Sequence, residues 1–310
     1  MRSASVPDEI SGTAPVSGVN SSSNGVHWLA VPTWMGSGGD HAKSKNSGPG
    51  NHRDWLWHGF STRRGGVSGA YLSPNRDQDL PDELNLGFTA ADLRENVLEN
   101  RLRFVEAVTG SRETPLATVR QIHSNFSVVV GEDWVSGPGA SVANIPEADG
   151  IMTNRRGLLL GIQTADCIPV LVADPVTRSV AAFHAGWRGT VSRVVERGVA
   201  QMREVFGSDP SVLIAAIGPG IGHCCYAVGT EVQAQFKAGF SYATELFAQD
   251  GKLLCLDLKE ANRLQLMAAG VPAGSISLVG GCTSCRQDLF FSHRASGGHA
   301  GRMMAVIGVA

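Results

Sequence analysis

The chain has 310 residues, with 26 lysines and arginines against 28 aspartates and glutamates, so its formal net charge at pH 7 is −2. This balance gives no electrostatic reason to expect nucleic acid or an anionic membrane as a partner, because both attract an excess of basic side chains. The apolar share of 43% is too high for a globally disordered chain, and the 38 glycines lack the three-residue period of collagen.

Composition also bears on the compartment. No apolar run approaches the roughly 20 residues of a membrane-spanning helix, and residues 1–24 contain no apolar stretch typical of a secretory signal. We therefore expect a cytoplasmic protein, and a monomer. In that compartment the six cysteines, at positions 167, 224, 225, 255, 282 and 285, are expected to be reduced thiols or metal ligands and not disulfides.

Residues 1–53 consist largely of Ser, Gly, Asn and Pro, apart from a short apolar segment at His27–Met35. This composition predicts a flexible N-terminal tail. From residue 54 to residue 310 the chain is continuously globular, a length that suits one large domain.

Within that domain, helical spacing of apolar residues predicts a helix over Ala90–Thr109, and a short strand follows at Phe126–Val130. Strands are predicted at Leu158–Gln163, Ile168–Ala173 and Ser179–His184, and Asp174-Pro175 makes the last two a hairpin. The remaining predicted elements are a helix over Val191–Phe206, a strand at Val212–Ile217, a helix over Asp257–Ala269 capped by Asp257, and strands at Ser275–Val279 and Met303–Val309. Hairpins and helical crossovers together predict an α/β fold, with a mixed sheet flanked by helices.

Three predicted strands end near a potential metal ligand: His123, Cys167 and His184. Imidazole and thiolate both suit zinc, and three protein ligands would leave one coordination position open, as in catalytic zinc sites. Because the spacings are long, periodicity does not show that the three side chains meet. The alternative is two histidines at the edge of the core and a small buried thiol.

Cys167 has a second interpretation as a nucleophile, with His184 or His123 as its base. Asp166 is the neighbouring carboxylate. It could hold a ligand histidine, transfer protons as a general acid or base, or simply form a turn.

Cys282-x-x-Cys285 is a single CxxC pair. A four-cysteine structural zinc site would need a second such pair, and the adjacent Cys224 and Cys225 lack that spacing, so we do not expect a metal there. Residues 218–222 (GPGIG) are interpreted as an ordinary turn.

Two basic positions are candidates for binding an anionic group. Arg63 lies in a glycine-rich loop, where a guanidinium can grip phosphate through two hydrogen bonds. Arg188 follows His184 by four residues at a predicted strand-to-helix turn. The alternative for Arg63 is a solvated surface arginine.

The motifs together resemble the YfiH family, whose members have been described as laccase-like or multicopper polyphenol oxidases and as purine nucleoside phosphorylases. The resemblance covers about residues 55–310, and its most specific parts are TADC at 164–167 and HAGWRG at 184–189. The other matching segments are HGFSTRRGGVS at 58–68, LNLG at 84–87, QIH at 121–123, ADG at 148–150, IGP at 217–219, CCYAVG at 224–229, CTSC at 282–285 and FFS at 290–292.

This resemblance implies a zinc site formed by His123, Cys167 and His184, with copper as a possible alternative metal. It implies a single-domain α/β fold, a mixed β-sandwich flanked by helices, related to the catalytic domain of cytotoxic necrotizing factor. We take Cys167 and Asp166 as catalytic candidates, and Arg63, Asn85 and Arg188 as candidates for binding substrate. The stretch Ser73–Glu83 is longer than the usual family link and is expected to alter the rim of the site.

The implied activity is phosphorolysis of adenosine, inosine or methylthioadenosine, with hydrolytic deamination of adenosine, so the expected partners are a nucleoside and phosphate. One alternative is a cysteine hydrolase that edits peptidoglycan precursors, with Cys167 as nucleophile. Another is a non-enzymatic metal- or nucleotide-binding module. A true multicopper oxidase is disfavoured because the chain has only nine histidines, four of them in or near the tail.

Overall fold

The structure is a computed structural model, and it describes residues 18–35, 55–72, 82–131 and 145–310. Most of the predicted rim segment Ser73–Glu83 and two stretches of the predicted tail, residues 1–17 and 36–53, lie outside the described residues.

Seventeen strands are described, most of them three to seven residues long. In chain order they are β1 (Val19–Ser21), β2 (His27–Leu29), β3 (Leu56–Ser61), β4 (Arg64–Gly66), β5 (Asp82–Glu83), β6 (Leu116–Thr118), β7 (Ser127–Val129), β8 (Gly150–Thr153), β9 (Leu158–Thr164), β10 (Ile168–Asp174), β11 (Ser179–Ala185), β12 (Ile214–Ile217), β13 (Ala227–Val228), β14 (Phe247–Asp250), β15 (Leu253–Leu256), β16 (Ile276–Leu278) and β17 (Met303–Val309). The described α-helices are α1 (Arg94–Thr109), α2 (Trp187–Val191), α3 (Val194–Phe206), α4 (Thr230–Gly239) and α5 (Leu258–Ala268).

Two six-stranded sheets form the centre of the molecule. The first has the strand order β1-β2-β3-β17-β9-β6, and the second has the order β16-β12-β10-β11-β8-β7. Most neighbours are antiparallel, but β6–β9, β7–β8 and β12–β16 are parallel. Both sheets are therefore mixed, as the sequence predicts.

The sheets pack face to face because alternate residues of their central strands are apolar on both sides. In β17, Ala305 and Ile307 face the core between the sheets, whereas Met304 and Val306 face the outer core beneath α1. The second sheet packs its other face against α2 to α5. The layers are thus helix, sheet, sheet and helices, which confirms the predicted α/β sandwich flanked by helices.

Several predicted elements match the structure closely. The β10–β11 hairpin pairs Asp174 with Ser179, and Asp257 caps α5 by accepting a hydrogen bond from the Glu260 N–H at 2.9 Å. The helix predicted from Val191 is instead divided, because Arg193 adopts a left-handed φ of 65° between α2 and α3.

Residues 18–35 correct the expectation of a flexible tail. Strands β1 and β2 form a hairpin that extends the first sheet beyond β3, and Leu29, Val31 and Trp34 are buried in the core. The backbone N–H of Val31 also donates to His58 Nε2 at 3.0 Å. Burial of apolar side chains of the segment His27–Met35 stabilises this stretch, although residues 1–53 as a whole have the composition of a tail.

The connection from β9 to β10 crosses from the first sheet to the second. It consists of residues 165–167 and so places Cys167 at one edge of the sandwich. Antiparallel pairing of β10 with β11 puts His184 opposite Pro169 at the same edge. Because β6 runs parallel to β9, the loop that follows β6 and carries His123 emerges there too. Among the described helices, none is both long enough and apolar enough to cross a membrane.

Candidate active site

Three potential metal ligands meet at this edge. One ligand atom from each of His123, Cys167 and His184 lies within 4.8 Å of the other two. His123 Nε2 is 3.9 Å from Cys167 Sγ, and the two imidazole rings are edge-to-face with centroids 4.9 Å apart. His184 is buried, Cys167 is half-buried and His123 is exposed, so the group opens to solvent on the His123 side.

Asp149 organises the group from behind and has no exposed surface. Its Oδ1 lies 2.7 Å from His184 Nδ1. A carboxylate can only accept, so Nδ1 carries a hydrogen. The backbone N–H groups of Ile122, His123 and Ser124 also donate to this carboxylate, at 3.2, 3.0 and 2.5 Å. One buried side chain therefore orients one histidine and holds the loop that carries the other.

The QIH segment is fixed by its glutamine as well. Gln121 Nε2 donates to the Gln163 carbonyl, and the Gln163 N–H donates to Gln121 Oε1, both at 2.7 Å. This pair ties the loop to the end of β9. His123 itself has a left-handed φ of 60°, which is uncommon outside glycine and is typical of functional sites.

The charges of the group reinforce one another. Burial alone would raise the pKa of Cys167, but the His184 and His123 rings beside the sulfur lower it to about 6. Burial alone would lower the pKa of His184, but the Cys167 sulfur and the Asp149 carboxylate raise it to about 9. Without a metal, the two side chains therefore form a thiolate–imidazolium pair at neutral pH.

Gly186 has no side chain, and this leaves room for the side chains of Cys167 and His123. A Cβ at this position would lie 3.0 Å from Cys167 Sγ and 3.0 Å from His123 Cδ2. Its φ of −70° is accessible to any residue, so here the glycine serves the close approach of the two side chains and not an unusual backbone conformation.

The carboxylate that contacts His184 belongs to Asp149 and not to Asp166. The Asp166 carboxylate accepts from the Thr283 hydroxyl at 2.6 Å and from the Arg294 N–H at 2.7 Å. Its backbone has a φ of 91°. These bonds hold the strained turn immediately before Cys167.

Two predicted substrate contacts, Asn85 and Arg63, are engaged in hydrogen bonds within the protein. Asn85 is 0% exposed. Its side-chain N–H₂ group donates to the Gly87 carbonyl and to the Asp92 carboxylate, and its side-chain oxygen accepts from the backbone N–H of Arg302. In this conformation Asn85 therefore cannot contact a substrate. Arg63 donates to Glu83 and to the carbonyls of Tyr71 and Gln287, at 2.7 to 2.9 Å, and stacks on Phe291. Sequence alone does not show that these polar groups are already satisfied.

Arg188 is exposed and lies over the Trp187 ring. It acts electrostatically on Tyr226, as do Cys167, Asp166 and Arg294. The Arg294 guanidinium lies 5.3 Å from the centroid of the Tyr226 ring. Sequence patterns do not single out Tyr226 or Arg294, although Tyr226 belongs to the CCYAVG motif. A separate groove of about 510 Å³ between α3 and the end of α5 contains none of these residues.

Comparison with known proteins decides the family. Residues 57–310 match the family described as multi-copper polyphenol oxidoreductase laccase. The chain belongs to this family.

A relative from Geobacillus stearothermophilus, named purine nucleoside phosphorylase YlmD, is 37% identical over 262 residues, which cover 83% of this chain and 94% of the relative. A protein of an unknown prokaryotic organism, named adenosine deaminase RL5, is 34% identical over 247 residues, 78% of this chain and 90% of that protein. The crystal structure of YfiH from Bacillus licheniformis superposes with a TM-score of 0.74 at 33% identity, over 82% of this chain and 93% of that one.

These relatives confirm the resemblance to the YfiH family and the family fold. The proposed relation to cytotoxic necrotizing factor stays a prediction. The laccase family description names several copper ions, yet in the described part of the chain only one group of three or more metal-binding donors includes histidine. That group, His123, Cys167 and His184, combines nitrogen and sulfur donors.

Proposed function

We propose that this chain is a zinc-dependent purine nucleoside phosphorylase that also deaminates adenosine. The observation that carries the proposal is the convergence of His123, Cys167 and His184, with Asp149 behind His184. Relatives named purine nucleoside phosphorylase and adenosine deaminase support it.

The donor set fits zinc. One thiolate and two imidazoles are typical ligands, and three protein ligands leave a position for substrate. When bound, zinc would supply a Lewis acid that polarises the reacting group of the nucleoside. Copper also accepts imidazole and thiolate ligands, so elemental analysis of the purified protein decides between the two metals.

Asp149 would keep His184 competent to bind the metal. By accepting from Nδ1 it fixes the tautomer and orientation of the ring, as carboxylates commonly do behind metal-binding histidines. The same carboxylate holds the backbone of His123. We therefore assign it a positioning role.

Arg188 and Arg294 are the groups that we propose to bind phosphate. Both are exposed cations close enough to Tyr226 to influence its titration. Burial and the nearby Cys167 raise the pKa of Tyr226 to about 12, so its hydroxyl stays protonated and can donate. Phosphate held by these groups would be oriented toward the ribose C1′.

Asp166 remains our candidate for proton transfer to or from the purine, and Asp166→Asn tests it. The Thr283 hydroxyl, which now donates to Asp166, can instead accept from an asparagine amide, so the turn should persist. We expect a large fall in kcat, with metal content unchanged. An unchanged kcat would exclude Asp166 as the proton-transfer group.

The metal assignment is tested by His123→Ala and Cys167→Ser. Both variants should lose the metal, phosphorolysis and deamination together. Wild-type rates of ribose 1-phosphate formation from adenosine in a variant shown to be metal-free would contradict the proposed mechanism.

The phosphate site is tested by comparing two reactions of one enzyme. Deamination consumes water and not phosphate, so Arg188→Ala should raise the KM for phosphate at least tenfold while deamination is retained. Lys252→Ala, at an exposed cation outside the site, is the matched control. Equal loss of both reactions in Arg188→Ala would show that Arg188 has a different role.

A cysteine hydrolase is a second candidate, because a thiolate–imidazolium pair is also what a cysteine nucleophile needs. Covalent labelling of Cys167 by an electrophilic substrate analogue in metal-replete protein would favour it. The relatives, which are named as nucleoside enzymes, favour neither this candidate nor a non-enzymatic module.

A further inference from the structure

Four cysteines outside the His123 site lie together in space. The sulfur atoms of Cys224, Cys225, Cys282 and Cys285 are all within 4.8 Å of one another. Cys285 Sγ is 3.6 Å from Cys224 Sγ and 3.4 Å from Cys225 Sγ. A disulfide would require about 2.05 Å, and all four are free thiols. Spacing along the chain does not reveal this group, because Cys224 and Cys225 are adjacent and do not form a second CxxC pair.

The sheet topology explains why the two segments meet. Strands β12 and β16 are parallel neighbours, so the loops that follow them emerge at the same edge. The Thr283 N–H donates to the Gly220 carbonyl at 3.1 Å, and the Gly222 N–H donates to Cys282 Sγ at 3.2 Å. An N–H group aimed at sulfur favours the thiolate over the thiol.

Two of the separations between the sulfur atoms are close to those of tetrahedral coordination. A Zn–S distance of about 2.3 Å places tetrahedral sulfurs about 3.8 Å apart, within a few tenths of an ångström of the two measured separations. Lys259 lies beside the cluster and donates to the Gly281 carbonyl at 3.0 Å, so a positive charge faces the thiolates. Gly222 provides room, since a Cβ there would be 3.3 Å from Cys224 Sγ.

We propose that Cys224, Cys225, Cys282 and Cys285 bind a second metal ion, a divalent ion of the zinc class, in a closed structural site. Four thiolates fill the coordination sphere and leave no position for substrate. Binding converts the four thiols to thiolates and releases their protons to solvent.

The cluster also supports the active site. Thr283, between the two cysteines of the CTSC segment, donates to the Asp166 carboxylate at 2.6 Å, and the Ile221 N–H donates to the Asp166 carbonyl at 2.8 Å. A metal joining the two loops would therefore hold the turn that carries Asp166 and Cys167. The effect on catalysis rests on the proposed function, but the metal site itself does not.

Metal content of the full chain, purified anaerobically with a reductant, tests the proposal. We expect two ions per chain in the wild type, and one in the double variant His123→Ala/Cys167→Ser. We also expect one in Cys282→Ser/Cys285→Ser, and two in Cys255→Ala, the matched control at a buried cysteine outside the cluster. Loaded with Co²⁺, the first double variant should keep the intense sulfur-to-cobalt charge-transfer absorption of a four-thiolate site.

Three results would overturn the proposal. The first is a single ion in the wild type that Cys282→Ser/Cys285→Ser retains. The second is a thiol titration of the anaerobic protein that finds two thiols fewer than expected, together with the mass decrease of a disulfide. The third is an absence of thiolate-to-cobalt absorption in His123→Ala/Cys167→Ser. If the double cysteine variant does not fold, Cys285→Ser alone, at an exposed residue, should release the second ion to a chelator at least tenfold faster than wild type. Absence of nucleoside turnover would affect the proposed function and leave these metal counts unchanged.

Discussion

Gly186→Ala should weaken metal binding at the His123 site and leave the fold intact. The added methyl would lie 3.0 Å from both Cys167 Sγ and His123 Cδ2. Ordinary contacts between such atoms are about 3.5 to 4.0 Å. The side chains of Cys167 and His123 must therefore each move away from the added methyl group by roughly half an ångström. Metal–ligand distances tolerate only about 0.2 Å, and the displacement exceeds this tolerance for two of the three ligands.

The fold itself should tolerate this substitution. The backbone of Gly186 is extended, with φ −70° and ψ 168°, so alanine fits without strain. Alanine reduces the entropy of the unfolded chain by about 0.4–1 kcal/mol. It is a poorer N-cap for α2 than glycine, which offsets part of that gain. We therefore expect a change in Tm of no more than about 4 °C for the metal-free protein.

Competition with a chromophoric chelator measures the consequence. Gly186→Ala should bind zinc at the His123 site about 10- to 100-fold more weakly, as when groups that orient metal ligands are changed. That range corresponds to about 1.4–2.7 kcal/mol. Gly239→Ala, where the methyl would meet no atom within 4 Å, is the control. Unchanged zinc affinity in Gly186→Ala would refute the inference that this crowded glycine shapes a metal site.

Three further perturbations test other parts of the structure. Asp149→Asn would place an amide N–H₂ group against the N–H donors of His184 and His123. It should weaken metal binding about 10- to 100-fold, as measured by chelator competition. It should also lower the free energy of unfolding by about 3–5 kcal/mol, as measured by denaturant titration. In metal-stripped protein, alkylation of Cys167, resolved by mass spectrometry, should rise with a midpoint near pH 6 and not near pH 9. The depressed pKa of Cys167 adds stability as the pH rises from about 6 to 9, and the raised pKa of His184 removes stability between about 6.5 and 9, so the two nearly cancel and the free energy of unfolding should change little in that window. Trp34→Ala should lower the free energy of unfolding by about 3–5 kcal/mol, whereas Thr33→Ala, at an exposed neighbour, should change it by less than about 1 kcal/mol; an equal effect of the two would contradict the packing of residues 18–35.

Local patterns were sufficient for most secondary structure. The β10–β11 hairpin follows from two apolar runs joined by turn residues, and the cap of α5 follows from an aspartate before an amphipathic segment. The position of β17 in the first sheet could not be predicted in this way, because β17 lies between β3 and β9, which are both distant from it in the chain. Periodicity specifies which face of a strand is buried and not which strand lies beside it.

Residue type and position near predicted strand ends point to His123, Cys167 and His184 as potential donors, and the resemblance to known motifs groups them in one site. It did not distinguish Asp149 from Asp166 as the carboxylate behind His184, since both are aspartates close to a motif residue. Asn85, a predicted substrate contact, is fully buried and accepts a hydrogen bond from the backbone N–H of Arg302, which its place in a motif does not reveal.

The chain by itself determined the element types, the α/β class and the chemical types of the donors, because these depend on residue identity and on neighbours a few positions away. Tertiary structure alone decided that residues 18–35 join a sheet, that Asp149 orients His184, and that Cys224 and Cys225 meet Cys282 and Cys285. Each of these depends on contacts between segments distant in sequence, and their geometry follows from the packing of two sheets and the parallel pairing of β12 with β16.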